Sequence, residues 1–110
     1  MLSIPLMPKL NITVSVEIAK EISDDLNCDA LCVSNTIPWG QLPDKINWHD
    51  LFGTSKSPLA HLGGGGLSGK PLLPLVADWV CKARKIGVVK PINAGGGILS
   101  PNDVDALCQA

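Results

Sequence analysis

Two glycine-rich segments are the parts of this sequence whose composition points most directly to chemistry. The first is Gly63-Gly64-Gly65-Gly66-Leu67-Ser68-Gly69 and the second is Gly95-Gly96-Gly97. Glycine has no Cβ, so its backbone can approach a ligand closely, and successive N–H groups that lead into a helix bind anions. The second segment is therefore typical of a phosphate site. A simple tight turn is the competing interpretation.

Three polar residues are predicted to stand where strands end. Lys9 lies near the end of one apolar run, and Asn35-Thr36 follows another. Ligands of parallel α/β proteins collect at the carboxyl ends of the strands, so we expect these residues to face the same place as the glycine segments. The simpler alternatives are a solvated lysine and an asparagine that hydrogen-bonds its own loop.

The strands that would position these residues are short apolar runs. We predict strands over residues Ile4 to Leu10, Ala30 to Ser34 and Pro91 to Ala94, and the middle run predicts a strand buried on both faces of a parallel sheet. Pro8 lacks the N–H that an interior strand needs. We therefore expect the first strand either to lie at an edge or to break just before Lys9.

Helical periodicity separates these strands. Apolar residues from Val14 to Leu26 predict a first helix with Thr13 as its N-cap. The stripe from Leu72 to Ala83 predicts a second, and Ser100-Pro101-Asn102-Asp103 opens a third with a capping serine and a proline in the first turn. The alternation of strand and helix requires parallel crossovers and indicates the α/β class.

A long connection, residues 37–69, interrupts the alternation. Loops usually have about 4–6 residues, so a connection of this length predicts a function. It carries Trp39, Trp48 and Phe52, with a short helix predicted around Asn47 to Phe52. No basic residues interleave with these rings, so we expect core or loop anchors and not a nucleic-acid stacking platform.

Composition and charge argue against two classes of binding partner, nucleic acids and anionic membranes. Nine Lys and Arg against ten Asp and Glu leave no basic excess for nucleic acid or for anionic membranes. No apolar run approaches the ~20 residues of a membrane span and no leader is recognised, so we expect a cytoplasmic protein.

The four cysteines have no CxxC spacing, so we expect reduced core thiols and no metal site. The 110 residues allow one domain, residues 1–110, and not a complete α/β barrel of ~250.

Three motifs, in this order, resemble the FMN-binding dihydroorotate dehydrogenases. They are Asn35-Thr36 after a strand, Gly65-Gly66-Leu67-Ser68-Gly69-Lys70-Pro71-Leu72, and Pro91-Ile92-Asn93-Ala94-Gly95-Gly96-Gly97-Ile98. Lys9-Leu10, followed by Asn11-Ile12-Thr13 and Glu17-Ile18-Ala19-Lys20, is similar to the family's fifth strand and the helix after it. The resemblance covers nearly the whole chain.

The resemblance implies a partial (β/α)8 TIM barrel of about three parallel β/α units, the fifth to seventh of a longer enzyme. It implies an FMN-dependent oxidoreductase that oxidises dihydroorotate to orotate in pyrimidine biosynthesis, with a homo-oligomeric full-length parent. The family's catalytic base lies on an earlier loop and matches no residue here. Because the N-terminal half that bears this base is missing, we expect the C-terminal half-barrel to be inactive alone. The eighth strand of the barrel would follow Ala110.

The resemblance also gives roles to individual residues. FMN would be contacted by Lys9, Ser34, Gly69, Gly96 and Gly97. Among these, Lys9 would lie beside the flavin pyrimidine ring, where a cation stabilises the anionic reduced form, and Gly96 and Gly97 would hold the phosphate. Asn35 and Thr36 would hydrogen-bond the small-molecule pyrimidine substrate, dihydroorotate or orotate.

Three alternatives stay open. The chain could be a non-catalytic phosphate-binding half-barrel that assembles with another chain to cover its sheet edges. It could be a flavin domain like that of dihydropyrimidine dehydrogenase. A different phosphate-binding barrel enzyme would explain Gly95 to Gly97 but leaves Asn35-Thr36 and the Gly-Leu-Ser-Gly run without a reason.

Overall fold

A computed structural model describes residues 3–110, in which helices alternate with strands of two small sheets. In chain order the elements are β1 (Lys9–Leu10), α1 (Val16–Asp24), β2 (Leu31–Val33), β3 (Ile37–Pro38), α2 (Trp48–Phe52), a 3-10 turn (Ala60–Leu62), β4 (Gly66–Leu67), α3 (Leu72–Lys85), β5 (Ile92–Ala94) and α4 (Pro101–Cys108). Within residues 3–110, none of the helices is both long and apolar enough to cross a membrane.

The main sheet has three parallel strands in the order β1-β2-β5. Its register aligns Lys9 with Cys32 and Cys32 with Asn93, so these three residues form one row across the sheet. The second sheet is an antiparallel pair in which Ile37 faces Leu67. The described strands do not close into a barrel, and the partial barrel stays a prediction.

Strand β1 is shorter than the predicted run of residues 4–10. The carbonyl of Pro8 accepts a hydrogen bond from the Cys32 N–H at 2.9 Å, but proline has no N–H to return. Regular pairing therefore begins only at Lys9, and β1 lies at one edge of the three-stranded sheet. Both expectations attached to this proline are confirmed, whereas the predicted strand length is wrong.

Strand β2 is covered on one face. Leu31 and Val33 are 0% and 1% exposed and belong to the core, whereas Cys32 between them is half-buried on the opposite face. The helices α1 and α4 both pack against α3, and this layer provides the cover. The prediction of burial on both faces is wrong for the described chain, because nothing in residues 3–110 covers the second face to the same degree.

Helix α3 confirms its predicted apolar stripe. The buried members are Leu72, Leu73, Val76, Trp79, Val80 and Ala83. All of them except Leu73 belong to the hydrophobic core that also contains Leu31 and Val33 of β2. Trp79 also donates its indole N–H to the carbonyl of Val14 at 2.8 Å, which ties α3 to the segment before α1.

Helix α1 begins later than predicted. Ser15, and not Thr13, is the N-cap, and its hydroxyl accepts the Ile18 N–H at 3.3 Å. The Thr13 N–H instead donates to the side chain of Asn11, which forms a tight turn before the helix. The predicted apolar face is only partly buried, because Ala19 and Ser23 face the core while Ile18 is half-exposed.

Two shorter helices begin where they are predicted, each after a residue that suits an N-cap. Helix α2 is capped by Asn47, whose side chain accepts the Asp50 N–H, and it ends at Gly53 in the left-handed conformation. Helix α4 has Ser100 as its N-cap and a proline in its first turn. Both helices therefore follow from local sequence, as expected for elements set by caps.

The cysteines differ in their surroundings. Cys28 is buried, Cys32 and Cys81 are half-buried, and Cys108 is exposed, all four as free thiols. Cys28 donates a weak hydrogen bond to the carbonyl of Ala30 at 3.4 Å. The expectation of core thiols is wrong for Cys108, because it occupies the outer side of the last turn of α4.

Candidate functional site

The end of β2 and the second glycine segment are joined by main-chain hydrogen bonds. The Gly95 N–H donates to the carbonyl of Val33 at 2.7 Å, and the Ser34 N–H donates to the carbonyl of Gly95 at 3.2 Å. The first bond continues the parallel ladder beyond β5, and the second ties Ser34 to Gly95 where the regular ladder ends. Ser34 and Gly95 to Gly97 consequently lie at the same carboxyl-terminal edge of the sheet, which we call the rim.

Asn35 and Thr36 lie at this rim as exposed residues. The Asn35 side-chain oxygen accepts the Thr36 N–H at 2.9 Å, and the Asn11 side-chain amide donates to the Thr36 carbonyl at 2.8 Å. Asn35 therefore uses its oxygen locally. Among the described residues its amide N–H groups and the Thr36 hydroxyl make no hydrogen bond, so these groups can meet a polar ligand.

The two glycine segments touch through their backbones. A Cβ placed on Gly97 would lie 2.7 Å from the carbonyl oxygen of Gly69 and 2.8 Å from the nitrogen of Leu73. Gly97 also has a φ of +73°, which residues with side chains rarely adopt. Only glycine fits at this contact, and the contact brings the ends of β4 and β5 together.

The first glycine segment also reaches the segment after β2. A Cβ on Gly66 would lie 2.9 Å from the Thr36 hydroxyl oxygen. The rim therefore assembles Ser34 to Thr36, Gly66 to Gly69 and Gly95 to Gly97 in one continuous region. Gly69 itself has nothing within 4 Å of a Cβ position, so its φ of +84° and not crowding favours glycine there.

Consecutive N–H groups in the second glycine segment have no acceptor within the described chain. Across residues 3–110, the N–H groups of Gly96, Gly97 and Ile98 donate no hydrogen bond, although Gly97 is buried and Gly96 half-buried. A buried N–H normally has a partner. Adjacent free donors just before a helix N-terminus are the arrangement that binds anions, and a phosphate oxygen is the acceptor they fit.

An ion pair that the sequence did not predict lies beside these donors. The Asp103 carboxylate, whose side chain is 8% exposed, accepts the N–H groups of Leu99 and Ser100 at 2.9 Å each. Its other oxygen is paired with the Lys70 ammonium. The hydrogen bond from Lys70, and next that from the Leu99 N–H, lowers the pKa of Asp103 from 3.8 to about 2. Lys70 and Asp103 are 33 residues apart, so no local pattern could have paired them.

Lys9 lies on the less covered face of the sheet, in the row with Cys32 and Asn93. Neighbouring strands are about 4.8 Å apart, so Lys9 and Asn93 are separated by about 10 Å. Lys9 and Asn93 are exposed, and within residues 3–110 the Lys9 ammonium makes no ion pair. Sequence reasoning missed Cys32 and Asn93 as neighbours of Lys9, because only the register of the strands reveals them.

The site can therefore offer three kinds of interaction. The Gly96 and Gly97 N–H groups suit an anion, the Asn35 amide suits a polar ring edge, and Lys9 supplies a positive charge on the sheet face. Every residue predicted to bind FMN or substrate lies on the rim or on this face. In the part of the chain that the structure describes, no cluster of three or more metal-ligating side chains occurs.

Comparison with protein-family models, with curated proteins and with solved structures finds no match to this chain. The resemblance to the dihydroorotate dehydrogenases thus depends on the quoted motifs. A functional argument has to come from the placement and chemistry of the rim residues themselves.

Proposed function

We propose that this chain holds FMN in an oxidoreductase of the dihydroorotate dehydrogenase type, which oxidises dihydroorotate to orotate. The observation that carries the proposal is the meeting of the two glycine segments beside Ser34 and Asn35, with no acceptor among residues 3–110 for the Gly96 and Gly97 N–H groups. A dihydropyrimidine dehydrogenase-like flavin domain would use the same cofactor residues. The two differ in their pyrimidine, which the rim residues do not distinguish.

The glycine contact supports a role in holding the FMN phosphate. A phosphate carries close to two negative charges at neutral pH and accepts several hydrogen bonds. Gly96 and Gly97 would donate their N–H groups to it, and the N-terminal end of α4 adds favourable partial charge. Gly69 would contact the cofactor across the segment contact, where its carbonyl already lies against Gly97.

The residues at and after the ends of β1 and β2 support a second role for this chain, which is to position the flavin ring and the substrate. FMN supplies the hydride-accepting N5 atom when it is bound. Lys9 would place a cation near the ring, and Ser34 would contact it from the end of β2. Asn35 and Thr36 would hold the pyrimidine substrate, since in the described part of the chain only the side-chain oxygen of Asn35 is used, as the acceptor of the Thr36 N–H. No described residue is assigned as the base that takes the substrate proton.

An NMR titration of the ¹⁵N-labelled chain with FMN tests this proposal. We expect FMN to shift the amide resonances of Gly96, Gly97 and Ile98, and the side-chain amide of Asn35. The Gly97→Ala variant should lose the response, because its Cβ would meet the Gly69 carbonyl.

The matched control is Gly53→Ala, which carries similar strain at φ +67° but has nothing within 4 Å of the new Cβ. It should respond to FMN as the unaltered chain does. A Gly97→Ala chain that responds equally well, or shifts confined to residues away from the rim, would overturn the proposal.

A second candidate is a non-catalytic phosphate-binding half-barrel that assembles with another chain. The observation that favours it is the less covered face and the edge position of β1 and β5 in the main sheet. Strand edges left unpaired attract further strands. Sedimentation velocity with and without phosphate distinguishes the two: a phosphate-dependent dimer favours this candidate, and a monomer under both conditions contradicts it.

A further inference from the structure

We infer that Lys70 and Asp103 are a positioning pair: their ion pair holds the two glycine segments together and determines how strongly FMN is preferred over riboflavin, the same flavin without its phosphate. The inference rests on the proposed function and adds to it two residues that need not touch the flavin. It assigns them no part in the chemical step.

The ion pair spans the same two segments as the glycine contact. Lys70 directly follows Gly69, and Asp103 lies in the first turn of α4, shortly after Gly97. A Cβ on Gly97 would also lie 3.0 Å from the Lys70 carbonyl oxygen. The segments are thus joined twice, once by packed backbone and once by a charge-assisted hydrogen bond.

Asp103 is the fixed member of the pair. Its carboxylate accepts two backbone N–H groups, from Leu99 and Ser100, and its side chain is 8% exposed. The Lys70 side chain is 56% exposed and is held only at its ammonium. Loss of Lys70 would therefore leave the carboxylate in place on the N–H groups of Leu99 and Ser100, which directly follow Ile98 in the chain.

The charge left on Asp103 explains why loss of Lys70 should weaken the binding of a phosphorylated ligand in particular. An uncompensated carboxylate near Gly96 and Gly97 would repel a phosphate dianion, and Lys70 cancels that charge. Riboflavin carries no phosphate, so the charge of the carboxylate should not affect its binding. Because hydrogen bonds and ion contacts involving charged groups change affinity by about tenfold or more, we expect about a tenfold loss of the FMN preference without Lys70.

The experiment compares the dissociation constants of FMN and riboflavin, measured by NMR titration of the ¹⁵N-labelled chain. Lys70→Met removes the charge with little change in length, and Lys70→Arg restores it. The matched control is Lys82→Met in α3, which removes a 52% exposed lysine that is paired with Asp78 at 2.7 Å.

We expect the ratio of the two constants to fall about tenfold in Lys70→Met, and to stay unchanged in Lys70→Arg and Lys82→Met. The double variant Lys70→Met with Asp103→Asn should recover part of the preference, because it removes the remaining charge. Without ligand, Lys70→Met alone should shift the amide resonances of residues 96–100.

Two results would overturn the inference while leaving the proposed function in place. One is an unchanged FMN preference in Lys70→Met. The other is an equal weakening of FMN and riboflavin, which indicates a general loss of structure and not positioning at the phosphate. An unaltered chain that binds FMN no better than riboflavin would instead contradict the proposed phosphate site and the pair together.

Discussion

The rim and the excursion, which we define as residues 37–65, from β3 to the residue before β4, are held by different kinds of contact. At the rim, segments distant in sequence meet through main chain, as where Gly97 packs against the Gly69 carbonyl. The excursion is organised by rings: Trp39 lies 4.9 Å from Trp48 and 5.1 Å from Phe52. Main-chain contact leaves glycine as the only choice, whereas ring contact needs only bulk and apolar surface.

Removal of Trp79 should have the largest effect, because it affects the core beneath the rim. The ring is 6% exposed and its N–H donates to Val14, so Trp79→Ala creates a cavity and leaves that carbonyl unpaired. We expect about 3–5 kcal/mol of destabilisation in urea unfolding. Trp79→Phe should recover much of it, and equal losses in the two variants would contradict the cavity explanation.

Removal of Trp48 tests whether the excursion is independent of the rim. The ring is 9% exposed, donates to the Gln41 carbonyl at 2.9 Å and contacts both other aromatic rings. Trp48→Ala should cost the excursion about 3 kcal/mol and collapse the NMR shift dispersion of residues 39–62. Resonances of β2, β5 and Gly95 to Gly97 should persist, and their loss would mean that the two regions form one cooperative unit.

The difference between a crowded and an open glycine is smaller but more specific. Gly97→Ala and Gly53→Ala both place a side chain at positive φ, which costs about 1–2 kcal/mol. Gly97→Ala adds a backbone collision and should lower the thermal midpoint clearly further. Equal midpoints in the two variants would show that the rim segments separate easily, contrary to the close contact described.

Acid should modestly lower the stability of the rim and leave the packing of Trp39, Trp48 and Phe52 unaffected. The pKa of Asp103 is lowered to about 2, first by Lys70 and then by the Leu99 N–H. Because the folded state lowers this pKa, the ionised Asp103 carboxylate stabilises the fold. This stabilisation is complete at a pH above the ordinary pKa of 3.8 and is lost as the pH falls through about 2. The thermal advantage of the unaltered chain over Asp103→Asn should therefore be present at pH 6 and vanish near pH 2.

The elements fixed by local chemistry could be predicted from the sequence. The stripe of α3, the Ser100 cap of α4 and the short helix after Asn47 follow from periodicity or from a single capping side chain. Thr13 was a wrong cap for α1, because Asn11 forms a competing turn. The Asn11 side chain holds the Thr13 N–H in that turn, and the helix begins two residues later, where Ser15 accepts the Ile18 N–H.

The contacts between distant segments could be predicted only in part. The two glycine segments of the rim could be predicted, because a position that has no room for a side chain is occupied by glycine, and glycine is visible in the sequence. The Lys70–Asp103 pair was invisible, since a surface lysine and a capping acid each have a sufficient local explanation. The β3–β4 pair was also missed, because two-residue strands give no periodicity to detect.

The row across the main sheet has a practical consequence. Cys32 lies in the middle strand, between Lys9 and Asn93, and its thiol is half-buried on the less covered face. The rate at which a thiol reagent modifies Cys32 therefore gauges how much of that face is occupied. Any ligand or polypeptide segment that lies over this face would shield the thiol and slow its alkylation.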